Sequence, residues 1–226
     1  TGDIDAALWI GDPGDVGTKA VVSILKGEVN PSGRLVDIYP YAVETTPSFY
    51  NFDTYEYTNS SECFENFDSH PAYLLEYQEG IYVGYRYYET RENYDYVTLE
   101  GEEKTGLTYE DVVQYPFGYG LSYTTFDWSI ADATAEGDIN GDSTISVTVN
   151  VTNTGDVAGK DVVELYYTAP YDAEGSHIQK AGAVLGGFAK TETIEPGETA
   201  SVTITLDAVN KASYDDQRYY STTGSY

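Results

Sequence analysis

The stretch Ile145-Ser146-Val147-Thr148-Val149-Asn150-Val151 alternates apolar and polar residues without a break. This period of two is typical of a β-strand with one face in the core and the other in solvent. We therefore predict that Ser146, Thr148 and Asn150 face solvent and that the four aliphatic side chains of the stretch are buried. A shift of register by one residue would exchange the two sets, so the prediction is tested as a whole.

The same alternation recurs on both sides of this stretch, in the segments 126–130 and 202–206. Turn-forming residues separate the alternating segments, at Asn140-Gly141-Asp142, at Asn153-Thr154-Gly155-Asp156 and at Glu195-Pro196-Gly197-Glu198. Several short strands joined by such turns indicate an antiparallel β-sandwich. We place this sandwich at residues 121–226 and expect no helix between residues 140 and 206.

The beginning of the sequence follows a different pattern. The apolar run Ala6-Ala7-Leu8-Trp9-Ile10 predicts a strand that is buried on both faces. The loop Gly11–Gly17 follows, and the segment from Thr18 to Lys26 predicts a helix that ends at Gly27. Such a β-loop-α unit needs parallel strands beside it. Because the residues before the run cannot supply them and the chain has no Met, we expect a longer parent protein.

The middle of the sequence, from residue 43 to residue 114, is irregular, acidic and rich in tyrosine, and the segment Gly80–Tyr88 within it predicts extended chain. The run Pro116-Phe117-Gly118-Tyr119-Gly120 then interrupts the chain. We therefore divide the protein into residues 1–120, with the acidic Tyr-rich region as a linker, and residues 121–226. The predicted fold class is mixed α+β and mainly β.

The charge of the chain limits its partners. The sequence has 38 acidic and 11 basic residues and a formal net charge of −27. Such a surface repels polyphosphates and anionic headgroups, which argues against nucleic acid and membranes as partners, whereas neutral carbohydrate is not repelled. The simpler interpretation is that the acidity keeps a secreted protein soluble. No apolar run approaches the roughly 20 residues of a membrane span.

Four stretches, in this order, resemble glycoside hydrolase family 3: Ala7–Gly14, Val29–Leu35, Glu79–Tyr88 and Pro116–Thr124. The stretch Val147–Leu206 resembles the fibronectin-III-like domain of the same family. The resemblance implies that residues 1–120 are the C-terminal part of an α/β sandwich domain and that residues 121–226 are a fibronectin-III-like β-sandwich. It also implies a retaining, exo-acting β-glycosidase of the β-glucosidase or β-xylosidase type.

The resemblance further implies where the catalytic residues lie. In the family a barrel domain carries the nucleophilic Asp and a loop of the α/β sandwich carries the acid/base Glu, and both would lie outside this chain. We therefore expect no catalytic residue here and no hydrolysis of aryl β-glycosides by the chain alone. The expected partners are the barrel domain and a β-linked carbohydrate, the oligomeric state stays open, and the expected location is extracellular or at the cell surface. The alternative is a non-catalytic extracellular module for carbohydrate binding or assembly.

Some acids are candidates for contact with substrate. Asp12 and Asp15 lie in the Gly11–Gly17 loop, at the carboxyl end of the predicted strand, where α/β sheets place ligands. Their carboxylates suit sugar hydroxyls, so they are the substrate-proximal candidates, although a structural turn is the simpler explanation. Glu76 and Glu79 could be proposed as a catalytic carboxylate pair, but a solvated acidic surface is the simpler explanation for both.

No cofactor and no metal are expected. His70 and His177 show no spacing typical of zinc ligands, and the segment Asp138–Asp142 matches a calcium loop only in its first half. Cys63 has no nearby basic residues to lower its pKa, so an unreactive thiol is expected.

Overall fold

The computed structural model describes residues 4–52, 55–56, 58, 73–137, 143–169 and 178–213. The expectations for Cys63, for both histidines and for the segment 138–142 fall outside these residues. Within them the protein is mainly β, with short helices and antiparallel sheets, which confirms the predicted fold class.

The first part of the chain contains one helix of two turns and several short elements. In chain order these are α1 (Thr18–Leu25), β1 (Tyr39–Pro40), a 3₁₀ turn (Val43–Thr45), β2 (Tyr55–Glu56), β3 (Tyr73–Leu74), α2 (Tyr85–Tyr88), β4 (Tyr96–Val97), β5 (Glu103–Lys104), α3 (Tyr109–Val112) and β6 (Val113–Tyr115). The strands form antiparallel ribbons, β1 with β6, β2 with β3 and β4 with β5. A small core packs beneath them, made of Ile38, Tyr88, Tyr94, Val112 and Val113.

The predicted β-loop-α unit is present only in its helical half. Helix α1 begins at Thr18 as predicted, and Gly27 follows its end with a φ of 73°, but none of its residues is buried. The run of residues 6–10 forms no strand, and all five of its residues are exposed. A strand needs a neighbour to pair its backbone N–H and C=O groups, and the described residues supply no parallel strand here.

The expectation of extended chain from Gly80 to Tyr88 is also wrong. Gly80 and Gly84 have φ angles of 60° and 57°, which turn the chain in a way that favours glycine. Between Tyr85 and Tyr88 the backbone makes one helical turn, which places the Tyr88 ring in the core.

The second part of the chain is built from five longer strands. They are β7 (Phe126–Glu136), β8 (Thr144–Asn153), β9 (Val162–Tyr167), β10 (Val184–Lys190) and β11 (Thr199–Asp207), and a 3₁₀ turn (Ala208–Lys211) follows. Strand β8 is central in an antiparallel sheet of order β11-β8-β7, and β10 pairs with β9 in a second sheet. From residue 143 to residue 206 the described chain contains no helix. The predicted sandwich is thus confirmed, while its beginning at residue 121 stays a prediction.

The predicted alternation of faces in β8 is observed, but only two of its four aliphatic side chains are buried. Val149 and Val151 are buried in the core between the sheets, together with Val163, Ile194 and Ile204. Ile145 and Val147 lie on the same face but are only half-buried. The polar residues lie on the other face and are half-buried because they pair with β11, with distances of 3.3 Å for Ser146–Thr205, 2.9 Å for Thr148–Thr203 and 2.6 Å for Ser201–Asn150.

Candidate functional site

The Gly11–Gly17 loop is shaped by its own side chains. A carboxylate oxygen of Asp12 accepts a hydrogen bond of 3.2 Å from the backbone N–H of Gly14, which closes a local turn. Gly11 and Gly14 both have φ near 60°, and both Asp12 and Asp15 are exposed. The loop therefore has a structural explanation, and the proximity of Asp12 and Asp15 to a substrate stays a prediction.

Asn30, in the turn that follows α1, holds the two parts of the chain together. Its amide donates to the carbonyl oxygen of Ala158 at 3.0 Å. Its side-chain oxygen accepts from the Ser122 hydroxyl at 2.9 Å and from the Tyr123 backbone N–H at 2.8 Å. One side chain thus fixes the beginning of the sandwich and the loop before β9. Asn30 lies in the Val29–Leu35 stretch that carries the family resemblance, but no sequence pattern indicated these partners.

A second contact between the two parts is the buried ion pair of Arg34 with Asp161. The side chains are 14% and 5% exposed. The other carboxylate oxygen of Asp161 accepts from the indole N–H of Trp128 at 2.8 Å, and the Asp161 backbone N–H donates to Thr191 at 3.0 Å. We call Arg34, Asp161 and Trp128 the clamp. Every polar group that it buries has a charged or hydrogen-bonded partner, as a buried charge requires.

Tyrosine side chains form a third contact between the parts. The hydroxyl of Tyr85 accepts from the backbone N–H of Leu185 at 2.9 Å, and its ring packs on Phe117 and Tyr166 at centroid distances of 4.8 and 5.9 Å. Thr90 accepts from the backbone N–H of Gly182 at 2.6 Å. Burial and the hydrogen bond to Glu164 raise the pKa of Tyr166. Tyr85 and Tyr166 thus contribute to the contact between the two parts.

Four aromatic rings lie close together in the first part, of which Trp9, Tyr115 and Tyr119 are exposed and Tyr39 is half-buried. Trp9 packs edge-on against Tyr39 at 6.2 Å, and Tyr39 is the cross-strand partner of Tyr115 in the β1–β6 ribbon. Tyr115 in turn packs on Tyr119 at 5.1 Å. Residues directly opposite in an antiparallel pair share a face, so the two ring pairs lie on the same side of the β1–β6 ribbon. We call Trp9, Tyr39, Tyr115 and Tyr119 the aromatic row.

The acids that were considered as a catalytic pair do not share a site. Glu76 is exposed, whereas Glu79 is half-buried and lines a cleft of about 350 Å³. One carboxylate oxygen of Glu79 is buried without a hydrogen-bond partner among the described residues. Pro47, Tyr82, Tyr87, Thr90 and Arg91 line the same cleft, and its accessible wall is largely apolar. One carboxylate in an apolar cleft does not make the two-carboxylate arrangement of a glycosidase.

The described residues contain no group of three or more His, Cys, Asp or Glu side chains placed to hold a metal ion. They also contain no helix that is long and apolar enough to cross a membrane.

The fold and the contacts between its two parts define a mainly β protein. In this protein, buried polar contacts fasten the β-sandwich to the part of the chain before it. Residues 1–85 match the family model of the glycosyl hydrolase family 3 C-terminal domain. Residues 161–226 match that of the fibronectin type III-like domain. The chain belongs to glycosyl hydrolase family 3, and it corresponds to the C-terminal part of the β-glucosidase-type enzymes.

Its relatives in this comparison are β-glucosidases. β-Glucosidase A of Butyrivibrio fibrisolvens is 39% identical over 223 residues, which cover 94% of this chain and 23% of that protein. The solved β-glucosidase of Paenibacillus barengoltzii is 38% identical with a TM-score of 0.69, covering 90% of this chain and 18% of that one. β-Glucosidase 3B of Thermotoga neapolitana, solved with α-D-glucose, is 33% identical with a TM-score of 0.61, covering 86% and 22%. The chain thus spans about a fifth of the length of these relatives.

Proposed function

We propose that this chain is the non-catalytic portion of a retaining, exo-acting β-glucosidase. It supplies the fibronectin-III-like sandwich and supports and partly walls the active site, while the nucleophile and the acid/base belong to another part of the enzyme. The substrate of the whole enzyme is a neutral β-linked glucoside or oligosaccharide. An extracellular or cell-surface location is part of the proposal, and the strongly acidic composition suits it.

One observation carries this proposal: 94% of the chain aligns with β-glucosidase A, yet the alignment leaves more than three quarters of that protein unmatched. The chemistry of the described acids agrees with a catalytic pair elsewhere. A retaining mechanism needs two carboxyl groups about 5 Å apart on rigid supports. Asp161 is buried but neutralised by Arg34, and Asp12 is engaged in a turn.

A second candidate function is a freestanding carbohydrate-binding module, which the exposed aromatic row favours because sugar C–H faces pack on aromatic rings. The buried polar contacts at Asn30 and Arg34 fasten the sandwich to the part that carries this row, which argues against an independent module. The two candidate functions predict different outcomes when this chain replaces the matching portion of a β-glucosidase: only the first predicts that the hydrolytic activity is retained.

The test is a chimera in which this chain replaces the matching portion of β-glucosidase A of Butyrivibrio fibrisolvens. We expect the chimera to hydrolyse an aryl β-glucoside, since the replaced portion would supply support rather than catalytic groups. A control carries an unrelated fibronectin-type sandwich in the same place and should be inactive. A folded chimera without activity, in which the parent's catalytic residues are intact, would contradict the proposed role.

A further inference from the structure

A cleft beside the contacts between the two parts has the size of a small ligand site. Its volume is about 350 Å³, and it is lined by Pro47, Glu79, Tyr82, Tyr87, Thr90 and Arg91. We call it the Glu79 cleft. The Tyr82 hydroxyl donates to the carbonyl oxygen of Lys180 at 3.2 Å. Thr90 accepts from the backbone N–H of Gly182 at 2.6 Å. Contacts to the second part of the chain thus hold two walls of the cleft in place.

The carboxylate of Glu79 gives this cleft an unused acceptor. One of its oxygens is buried and has no hydrogen-bond partner among the described residues. A buried carboxylate oxygen without a donor costs free energy, which a ligand that donates a hydrogen bond would recover. Rotation about the last side-chain bond of a glutamate is soft and exchanges its two oxygens, so the buried oxygen can turn toward an occupant. Glu79 therefore favours a ligand that carries hydrogen-bond donors.

The charges around the cleft favour a neutral ligand. The exposed guanidinium of Arg91 lies 5.3 Å from the centroid of the Tyr87 ring and lines the same cleft, so it repels a cation. An anion would meet Glu79 and a chain of formal net charge −27. Arg91 donates to the Tyr87 hydroxyl and to the carbonyl oxygen of Asn93. Because a guanidinium has five N–H donors, Arg91 retains donors for a ligand oxygen.

The size and the surface of the cleft suit a single sugar ring. Its accessible wall is largely apolar and includes two tyrosines, and the C–H faces of sugars pack on aromatic rings. At about 30 Å³ per water molecule, the volume of about 350 Å³ corresponds to roughly twelve waters, which favours one pyranose over a longer oligosaccharide. The hydroxyl groups of a pyranose both donate and accept, so they match Glu79 and Arg91 together.

We propose that the Glu79 cleft binds a neutral monosaccharide in its pyranose form. A carboxylate oxygen of Glu79 accepts from a sugar hydroxyl, Arg91 donates to a sugar oxygen, and a C–H face of the sugar packs on the tyrosine wall. The inference goes beyond the proposed function, because the site consists of residues of this chain alone and needs no catalytic group.

The experiment is an NMR titration of the isotope-labelled 226-residue chain with D-glucose. We expect saturable shifts of the backbone amides of Glu79, Tyr82 and Thr90, with a Kd on the order of millimolar, as for a small ligand that makes few contacts. Glu79→Ala should raise the Kd at least about tenfold, because a charged acceptor is lost. The matched control is Glu76→Ala, which removes an exposed carboxylate from the same segment and should leave the Kd unchanged.

Two charged sugars and a second variant complete the test. D-glucosamine and D-glucuronate should both bind more weakly than D-glucose, because each brings a charge that Arg91 or Glu79 repels. Circular dichroism verifies that each variant is folded. If Glu79→Ala does not fold, Arg91→Ala takes its place and should raise the Kd at least about threefold, since it removes a charged donor.

Several results would overturn the proposal. They are the absence of saturable shifts, shifts confined to residues away from the cleft, tighter binding of either charged sugar, or an effect of Glu79→Ala no larger than that of Glu76→Ala. The titration measures no hydrolysis, so the site and the proposed function can fail separately. Glucose binding by a chain whose chimera is inactive would support the site and contradict the function.

Discussion

At the scale of single residues, the clamp shows how a few polar groups can orient a domain. Asp161 lies just before β9 and receives a guanidinium, an indole N–H and backbone contacts at the same place. A carboxylate suits this position because it only accepts hydrogen bonds. No sequence pattern singles out Asp161, since it is one of 38 acidic residues and its partners Trp128 and Arg34 are 33 and 127 residues away.

Replacing Asp161 with Asn should destabilise the protein by about 2–3 kcal/mol, because Arg34 loses its counter-charge and an amide N–H then faces another donor. Urea unfolding followed by circular dichroism measures the change. Asp127→Asn on the exposed face of β7 is the control and should stay within about 0.5 kcal/mol of the unchanged protein. Equal effects of the two substitutions would show that the clamp contributes nothing to stability.

The buried Tyr88 makes the free energy of unfolding depend on pH in the alkaline range. Burial raises the pKa of Tyr88 above its ordinary value of 10.0, and its hydroxyl lies 2.8 Å from that of Thr45. A raised pKa in the folded state stabilises the fold fully below pH 10, and this contribution is lost as the pH rises through the raised pKa. The free energy of unfolding should therefore fall above pH 10. In Tyr88→Phe the fall should be shallower, and an unchanged slope would show that Tyr88 does not contribute.

At the scale of elements, a strand could be predicted from the sequence where the same chain supplies the strands that pair with it. The register of β8 was predictable because its alternation is satisfied by β7 and β11 of the same chain. The run at residues 6–10 has an equally clear pattern, but its expected neighbours are not among the described residues and no strand forms. The turn at Tyr85–Tyr88 was missed because two glycines with positive φ decide it rather than the periodicity of its side chains. Long-range partners such as Asn30 with Ala158 leave no local pattern at all.

The close approach of Asn30 to the loop before β9 depends on Gly159. A Cβ atom at residue 159 would lie 2.7 Å from the Asn30 amide nitrogen and 2.9 Å from a methyl carbon of Thr124. Gly159→Ala should therefore cost about 1–3 kcal/mol in stability through overpacking. Gly33→Ala is the matched control, because no atom lies within 4 Å of its added carbon. Thermal unfolding of both variants checks the prediction, and a Gly159 variant as stable as the Gly33 variant would refute the close approach.

At the scale of the whole molecule, the chain combines a firmly joined interior with an uncovered edge. Hydrogen bonds at Asn30, the clamp and the Tyr85 contacts join the two parts, whereas residues 4–10 and three of the four rings of the aromatic row remain exposed. This combination suits a portion of a larger enzyme that acts as a support. The division of the chain at residue 120 stays a prediction. The proximity of Asp12 and Asp15 to the substrate also stays a prediction, because no contact among the described residues tests either of them.

The central claim is that the catalytic pair lies outside this chain, and the most direct test is the activity of residues 1–226 alone. The chain is purified and assayed with aryl β-glucosides across mildly acidic pH, with an intact family 3 β-glucosidase as the positive control. We predict no turnover above background, because a nucleophile and an acid/base about 5 Å apart are required. Turnover that persists through purification and is abolished by Glu76→Gln or Glu79→Gln would contradict the claim and place the catalytic pair within this chain.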